Sequence, residues 1–286
     1  MRILYDATPL LMRSAGVKNY HHSLLTQLML LIWPHELDLF PYLHKLEPNH
    51  NERSNYTRWE TVRGLGAMLA SNYLFAPTVK SAARGAELFH VTPHLWRPPE
   101  GPLLTSMVHD PTPLLMPEAH TAGNIRYFQH FVGHVMPRLD GMITPSYAVK
   151  NDLVELCGAA EDKITVIPHG VDEEFFEATP AQREVARTQY DLPDRYVLFV
   201  GSVEPRKNLL GLIEAFTSLP QKMQRDFPLV IVGASGWKNE QIQRAISKNG
   251  NVRLIGYVSR ELLPAVYEGC SLFVFPSHYE GFGMPV

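Results

Sequence analysis

Two strings in the second half of this sequence put charge and glycine where strands end. The first is FVGSVEPRKN, residues 199–208. An apolar strand runs into Gly201, and a turn then delivers Arg206 and Lys207 to the start of a helix. A helix start offers free backbone N–H groups and the positive end of the macrodipole, so two cations beside it make a site for a diphosphate. Arg grips two oxygens at once, and Lys supplies a mobile point charge. When the bond to a leaving diphosphate breaks, fixed positive charge there stabilises the transition state more than the ground state. The second string is FVFPSHYEGFGMPV, residues 273–286. A strand ends at Pro276, a turn exposes Glu280, and Gly281-Phe282-Gly283 is expected to open the next helix. Glycines let a ligand approach the backbone closely, and a carboxylate at Glu280 can accept hydrogen bonds from two sugar hydroxyls. Plainer readings stand beside these. Arg206 and Lys207 could be a basic pair on a solvated helix start, Glu280 an acid complementing a helix dipole, and Phe282 simple packing.

The elements that must position these strings alternate along the whole chain. Short apolar runs predict strands at 3–5, 37–42, 87–91, 103–109, 141–144 and 163–167 in the first half. Between the first two, Val17, Tyr20, Leu24, Leu28 and Leu31 recur at helical spacing after Ser14-Ala15-Gly16. Residues 55–86 read as helical and irregular, with Arg58, Arg63, Lys80 and Arg84 among Trp59, Leu65, Leu69, Tyr73 and Phe75. A helix carries Ile125, Phe128, Val132 and Val135 on one face, and another runs from Ser146, a suitable N-cap, to Leu156. Near Pro168 the pattern changes to an acidic connector. A second series follows, with strands at 197–200, 229–232, 252–255 and 272–275 and helices over Leu209–Phe216 and Arg260–Glu268. Apolar strands without alternation indicate parallel sheets covered on both faces. The expected architecture is α/β: two Rossmann-like, doubly wound domains facing a cleft, over residues 1–168 and 196–286, with a linker at 169–195. Ligands of such sheets bind at the carboxyl ends of the strands. The second series stops in a turn at Met284-Pro285-Val286, so the second domain is expected to be incomplete and its open sheet edge to reduce solubility.

Composition excludes several classes. The 286 residues are 45% hydrophobic and 19% charged with a net charge of −3, an ordinary globular balance that gives no reason to expect nucleic acid. Cys157 and Cys270 fit no ligand spacing and point to a reduced, cytosolic compartment. There is no spanning apolar stretch, no P-loop and no Gly-x-Ser-x-Gly elbow. His130 and His134 stand one helical turn apart but lack a third ligand, so no metal is expected.

Both strings, with VIPHGVD at 166–172, resemble the retaining glycosyltransferases of family 4, also called group 1, which have the GT-B fold. The resemblance runs over nearly the whole chain and is most specific in the second half. It implies that the second domain holds a nucleotide-diphosphate sugar and the first an acceptor. In the family the second string carries two glutamates eight residues apart. Glu280 matches the first, which touches the donor sugar; the second would fall two positions beyond Val286. Gly16 matches a glycine whose backbone N–H meets the donor phosphates, although many members have two adjacent glycines where this chain has Ala15-Gly16. A simple turn glycine is the alternative. His109-Asp110 looks like the family's His-Asp step beside the transferred sugar, and Gly256-Tyr257-Val258 like the turn whose backbone, at Val258, meets the nucleobase.

These matches lead to the expectation of a hexosyltransferase that acts with retention and needs no cofactor. Its catalytic groups would be His109, Arg206, Lys207 and Glu280, and donor contacts would add Gly16, Gly201, Val258, Gly281, Phe282 and Gly283. EPRKN and the His-Asp step look most like members that use GDP-mannose and a lipid-linked or polysaccharide acceptor. The basic, aromatic stretch at 55–86 could meet an anionic membrane at the cytoplasmic face or be a solvated amphipathic helix. Two other readings remain open: a non-catalytic truncated fragment that binds nucleotide weakly or only contacts partners, and a sugar-nucleotide epimerase.

Overall fold

The computed structural model describes residues 1–12, 16–50, 53–74 and 78–286. Ser14, Ala15 and Phe75 lie outside them. Ten strands are seen among the described residues: β1 (Arg2–Asp6), β2 (Glu36–Phe40), β3 (Leu88–Val91), β4 (Leu103–Met107), β5 (Gly141–Thr144), β6 (Ile164–Val166), β7 (Val197–Val200), β8 (Leu229–Val232), β9 (Val252–Gly256) and β10 (Leu272–Phe273). They fall where the apolar runs predicted them. They form two sheets whose strand pairings are all parallel, a six-stranded one in the order β2-β1-β3-β4-β5-β6 and a four-stranded one in the order β10-β7-β8-β9.

The chain divides into two compact units, one of residues 1–111 and 126–167 and the other of residues 112–125 and 168–286. In the first unit the helices α1 (Gly16–Leu31), α2 (Arg58–Tyr73) and α3 (Tyr147–Cys157) flank the larger sheet. Ser146 caps α3 by accepting a hydrogen bond from the Val149 amide, and Gly158 ends it at φ 66°. Thr57 and Glu60 form a reciprocal capping box at the start of α2. The expected irregular helix over 55–86 is α2 plus a short piece, Thr78–Ala82.

In the second unit the longer helices are α4 (Pro180–Gln189), α5 (Leu209–Thr217), α6 (Glu240–Ser247) and α7 (Leu263–Gly269). Side chains of β7 and β8 alternate between two apolar layers. Phe199, Leu229 and Ile231 pack with Leu209, Leu212, Ile213 and Phe216 of α5. Leu198, Val230 and Val232 pack on the other face with Tyr196, Ala265 and Val266. This double coverage is why the strands read as unbroken apolar runs.

The domain plan differs from expectation in two places. Residues 169–195 hold α4, whose Thr179–Gln182 capping box starts it and whose Ala186 is buried against the core layer of α7. Arg183 is ion-paired with Glu268 of α7, and the Ala178 amide donates to that same carboxylate at 3.3 Å. The stretch is therefore packed structure and not a bare linker. Residues 112–125 also group with the second unit, where Ala119 accepts from the Trp237 indole at 2.6 Å and Glu118 from Lys238 at 2.8 Å through their backbone carbonyls. The helix expected from Arg260 starts later, at Leu263, because Pro264 fits only the first turn of a helix. No helix among the described residues is long and apolar enough to cross a membrane.

Candidate functional site

Sheet topology decides which loops of the second unit meet. The chain runs β7, β8, β9 in one direction and then returns to place β10 on the other side of β7. The reversal lies between β7 and β10, paired Leu272 to Val197 and Phe273 to Leu198. A crevice opens outside the carboxyl ends of two such strands. The loops leaving them are the two strings singled out by sequence. They are tied together by backbone: the His278 amide donates to the Arg206 carbonyl at 3.0 Å, and the Asn208 side-chain amide donates to the Pro276 carbonyl at 3.2 Å. Asn208 holds φ 54°, which ends the turn Pro205–Lys207 before α5 begins.

Three of the four residues expected to be catalytic converge here. Lys207 Nζ lies 2.6 Å from Glu280 Oε1, and Arg206 Nη1 lies 3.0 Å from Glu280 Oε2. Arg206 also donates to the Tyr279 carbonyl at 2.9 Å and, through its other terminal nitrogen, to Glu204 at 3.0 Å. Lys207 Nζ sits 5.1 Å from the centre of the Phe275 ring. Burial would raise the Glu280 carboxyl, but the charges of Lys207 and Arg206 overcome it and hold the group below its ordinary range. Burial and the neighbouring Arg206 charge push the Lys207 ammonium down, offset in part by Glu280. Two cations thus face two carboxylates, a balanced set in which an arriving diphosphate can take over the cations while Glu280 turns its lone pairs to hydroxyls. Sequence reading passed over Glu204. Its acid lies one residue before the Pro-Arg-Lys turn and is 2% exposed, so its role is to brace the Arg206 guanidinium from behind.

The glycines sort into two kinds. At Gly201 an added Cβ would lie 3.1 Å from the Phe199 ring and 3.8 Å from Lys207 Cε, and its amide donates to Val232 at 2.9 Å. The tighter requirement falls on Gly233, which the sequence reading did not single out. It holds φ 150°, and a Cβ there would stand 1.8 Å from the Gly201 carbonyl oxygen. Gly281 is buried beside Glu280. Gly283, at φ 86°, closes a turn in which the Val286 amide donates to its carbonyl at 2.9 Å; no helix opens over 281–286 in the described structure. Phe282 is half exposed, and its ring meets His169 edge-on at 5.1 Å, which joins the VIPHGVD string to the second motif. The Val258 side chain is buried in the core, so only its backbone can face a ligand.

His109 and Gly16 belong to the first unit. Gly16 is the exposed first residue of α1, and a Cβ there would meet nothing within 4 Å, which leaves open space at a helix start. His109 follows β4, with its ring edge-on to Tyr20 at 4.7 Å and 6.1 Å from His21. Behind it lies a buried polar network that sequence did not foretell. Tyr5 shares a 2.5 Å hydrogen bond with His21 and stacks on His90 at 4.9 Å. Asp6, at the end of β1, accepts from the Thr8 and Thr92 amides at 3.1 and 3.2 Å, and burial raises its pKa against those bonds. This network sits at the β1/β3 reversal of the larger sheet, the equivalent switch point. Its members are spread over β1, α1 and β3, and an Asp closing the first strand was the one available signal.

Among the described residues no group of three or more His, Cys, Asp or Glu is gathered as metal ligands. His130 instead stacks between Trp96 at 4.5 Å and His134 at 4.4 Å. A cavity of about 540 Å³ is lined by none of the motif residues; another, of about 160 Å³, adjoins Pro205, Asn208 and His278.

Comparison with known proteins meets this geometry from outside. A family described as glycosyl transferases group 1 matches residues 182–286, and glycosyltransferase family 4 matches residues 34–175. O-antigen chain mannosyltransferase B of Escherichia coli is 25% identical over 300 residues, covering 100% of this chain and 79% of that protein. The serotype-specific mannosyltransferase WbdA of Escherichia coli is 31% identical over 187 residues, 62% of this chain but 23% of WbdA. Among solved structures, WaaG, a glycosyltransferase involved in lipopolysaccharide biosynthesis, superposes with a TM-score of 0.63 at 14% identity, covering 100% of this chain and 77% of WaaG. Anabaena Alr3699/HepE in complex with UDP and glucose gives 0.61 at 17% identity, with 100% and 77% covered. These likenesses show the GT-B fold.

Proposed function

This chain belongs to the group 1 glycosyltransferases of family 4, and on that premise we propose that it moves mannose from GDP-mannose to a glycan or lipid-linked acceptor with retention at the anomeric carbon. The reading of mannose is supported by the names of the two Escherichia coli relatives, both mannosyltransferases. One observation carries the mechanism: Arg206, Lys207 and Glu280 meet within 3.0 Å at the switch point of the second sheet. A diphosphate seated against Arg206 and Lys207 would find its growing negative charge met by groups already in place, so little reorganisation accompanies bond breaking. Glu280, ionised and freed from part of its pairing, would orient the sugar by its hydroxyls. Glu204 would hold Arg206 in register. Gly16 would add backbone N–H groups at the start of α1. His109 would stand beside the transferred sugar as a neutral donor or acceptor. No cofactor is required, because the two cations supply the positive charge. The enzyme works at the cytoplasmic side, with its acceptor drawn from a membrane surface.

The test is sugar transfer by Lys207→Ala and Arg206→Ala. Each should lower kcat by about 10²–10³, or roughly 2.7–4 kcal/mol, the loss typical of removing one fixed group that stabilises a developing anion. Turnover near that of the parent in both would end the mechanism. A panel of GDP- and UDP-sugars under identical conditions checks the donor, and a clear preference for a UDP-sugar would overturn the assignment of mannose from GDP-mannose.

A further inference from the structure

The chain leaves β2 at its carboxyl end and returns to the body of the first unit at Asn55, whose backbone amide donates to the Leu10 carbonyl at 3.0 Å, just beyond β1. Ligands of parallel sheets bind at that end of the strands. Around Asn55 lies the cavity of about 540 Å³, which reaches Arg58, Thr61 and Val62 in the first turns of α2. Its size falls among those of small-molecule sites, about 300–1,000 Å³, so it has room for a sugar ring as well as an ion.

Three observations give this cavity a sign. Among the described residues its lining holds Arg53, Arg58 and His50 and no acid. Of the described acids close by in sequence, Glu60 is engaged with Thr57 in the capping box and Glu47 is paired with Lys45 at 2.7 Å. Second, the wholly buried Lys18 donates from its ammonium to the carbonyls of two lining residues, His50 at 2.9 Å and Arg53 at 2.6 Å. Burial pushes the Lys18 ammonium down to about 8, and no carboxylate charge offsets that push. Carbonyls satisfy its protons but leave its charge uncompensated, which favours an anion nearby. Third, Asn55 is only 7% exposed; its side-chain oxygen accepts from the His50 amide at 2.9 Å, and its side-chain nitrogen has no hydrogen-bond partner among the described residues. An amide nitrogen carries two protons, and a buried one left without an acceptor calls for an explanation. Cations and an unmet donor in one cavity select a ligand whose atoms accept. A phosphate does so, with oxygens enough for a bidentate Arg and an amide together. We infer that this cavity seats the phosphate group of a phosphorylated sugar, with Arg53, Arg58 and Asn55 serving its oxygens. The site belongs to the first unit and is separate from Arg206 and Lys207 of the second, so it goes beyond the donor reading given above and does not depend on it.

The experiment is calorimetry of the whole chain with mannose monophosphate, glucose monophosphate, free mannose and inorganic phosphate, each with and without excess GDP. At least one sugar phosphate should bind, at least about tenfold more tightly than free mannose or inorganic phosphate, and excess GDP should leave that affinity in place. Arg53→Gln/Arg58→Gln should weaken it by at least about tenfold. Both arginines are exposed, and circular dichroism checks that the variant folds. Asn55→Asp keeps the oxygen that accepts from His50 and adds a negative charge, so it should abolish binding; a parental urea midpoint shows that the fold is kept. A chain that binds neither sugar phosphate, that takes free mannose or inorganic phosphate equally well, or whose affinity survives in the arginine variant would overturn the proposal. So would binding that excess GDP displaces, which would put the ligand at Arg206 and Lys207. Flotation with phosphatidic acid vesicles by a chain that takes no soluble phosphate would assign the cavity to a lipid and overturn it as well. GDP affinity in the arginine variant should stay at the parental value; its absence in the parent would instead strike the donor assignment.

Discussion

In the second unit the charged residues stand at the mouth of the sheet and both faces behind them are apolar, with Leu198, Phe199, Leu229, Val230 and Ile231 fully buried. In the first unit the polar groups are sunk into the body: Asp6, His21, His90, Thr92 and Ser106 are all buried at or beside the ends of β1, β3 and β4. The two sheets share a parallel design with one reversal each, yet one holds its polar groups by ion pairs and the other by hydrogen bonds. A charged mouth can be rearranged by a ligand, because a diphosphate can replace the carboxylates that hold its cations. A buried network has one arrangement that satisfies it, since each unmade hydrogen bond there costs about 1–3 kcal/mol. The second unit is thus built to change partners, and the first to hold a shape behind His109 and Gly16.

The largest expected effect tests this through two glycines. Gly233→Ala must bring a Cβ to 1.8 Å from the Gly201 carbonyl at φ 150°, so β7 and β8 cannot keep their ends together. A loss of about 4 kcal/mol or more is expected, seen as a collapsed urea midpoint. Gly16→Ala meets no atom within 4 Å and should change stability by less than about 1 kcal/mol, while GDP binding weakens if the α1 start receives phosphate. Equal stability losses in the two variants would break the contrast between a glycine that packs backbone and a glycine that leaves room for a ligand.

The next effect sharpens the difference between ion-paired and hydrogen-bonded polar groups. Burial holds His90 and His94 down to about 4, with the His109 charge adding to the effect at His90. The folded state therefore prefers both rings neutral. Their contribution is complete above the ordinary value near 6.5 and is lost as pH falls from there toward 4. At up to about 1.4 kcal/mol per pH unit for each ring, less near the two end points, the two rings together should cost the first unit roughly 5 kcal/mol between pH 6.5 and pH 4. Urea midpoints at pH 7 and pH 5 should show the loss, and His90→Gln should flatten it. A midpoint that does not move would mean the rings are not neutral as buried.

How much of this was legible follows from the same contrast. The strands of the second sheet and the residues Arg206, Lys207 and Glu280 could be read because each motif is a contiguous string leaving one strand, and topology then places those two strands side by side. Glu204 and Gly233 belong to the same loops but were missed. Glu204 acts on another side chain, and the demand on Gly233 comes from a neighbouring strand. In the first unit, Asp6, His21 and His90 lie far apart in sequence and meet only after β1, β3 and α1 assemble, so each reads alone as an ordinary core residue. Helix α4 hid for a different reason: its mean hydropathy is low and one buried residue, Ala186, anchors it. Its visible signal was the Thr179-Pro180-Ala181-Gln182 start, a capping box with Pro at the first helical position.

The smallest expected effect uses that box as a matched pair. Thr57 with Glu60 opens α2 in the first unit, and Thr179 with Gln182 opens α4 in the second, each with both reciprocal hydrogen bonds in place. Thr179→Ala should cost about 1 kcal/mol, the usual value of an N-cap, at any pH where the protein is folded, because Gln182 does not titrate. Thr57→Ala should differ in its pH dependence. The Thr57 side-chain hydrogen bond, followed by the Thr57 backbone amide, holds the Glu60 carboxyl below its ordinary range. A depressed carboxyl contributes stability above its unfolded value and loses it as pH falls through the folded one. The Tm penalty of Thr57→Ala, referred to the parent at each pH, should therefore shrink in acid, while that of Thr179→Ala stays level. Parallel curves would mean that the charge of Glu60 adds nothing to the hydrogen bonds a neutral amide makes equally well, and that the two helix starts are held by the same geometry alone.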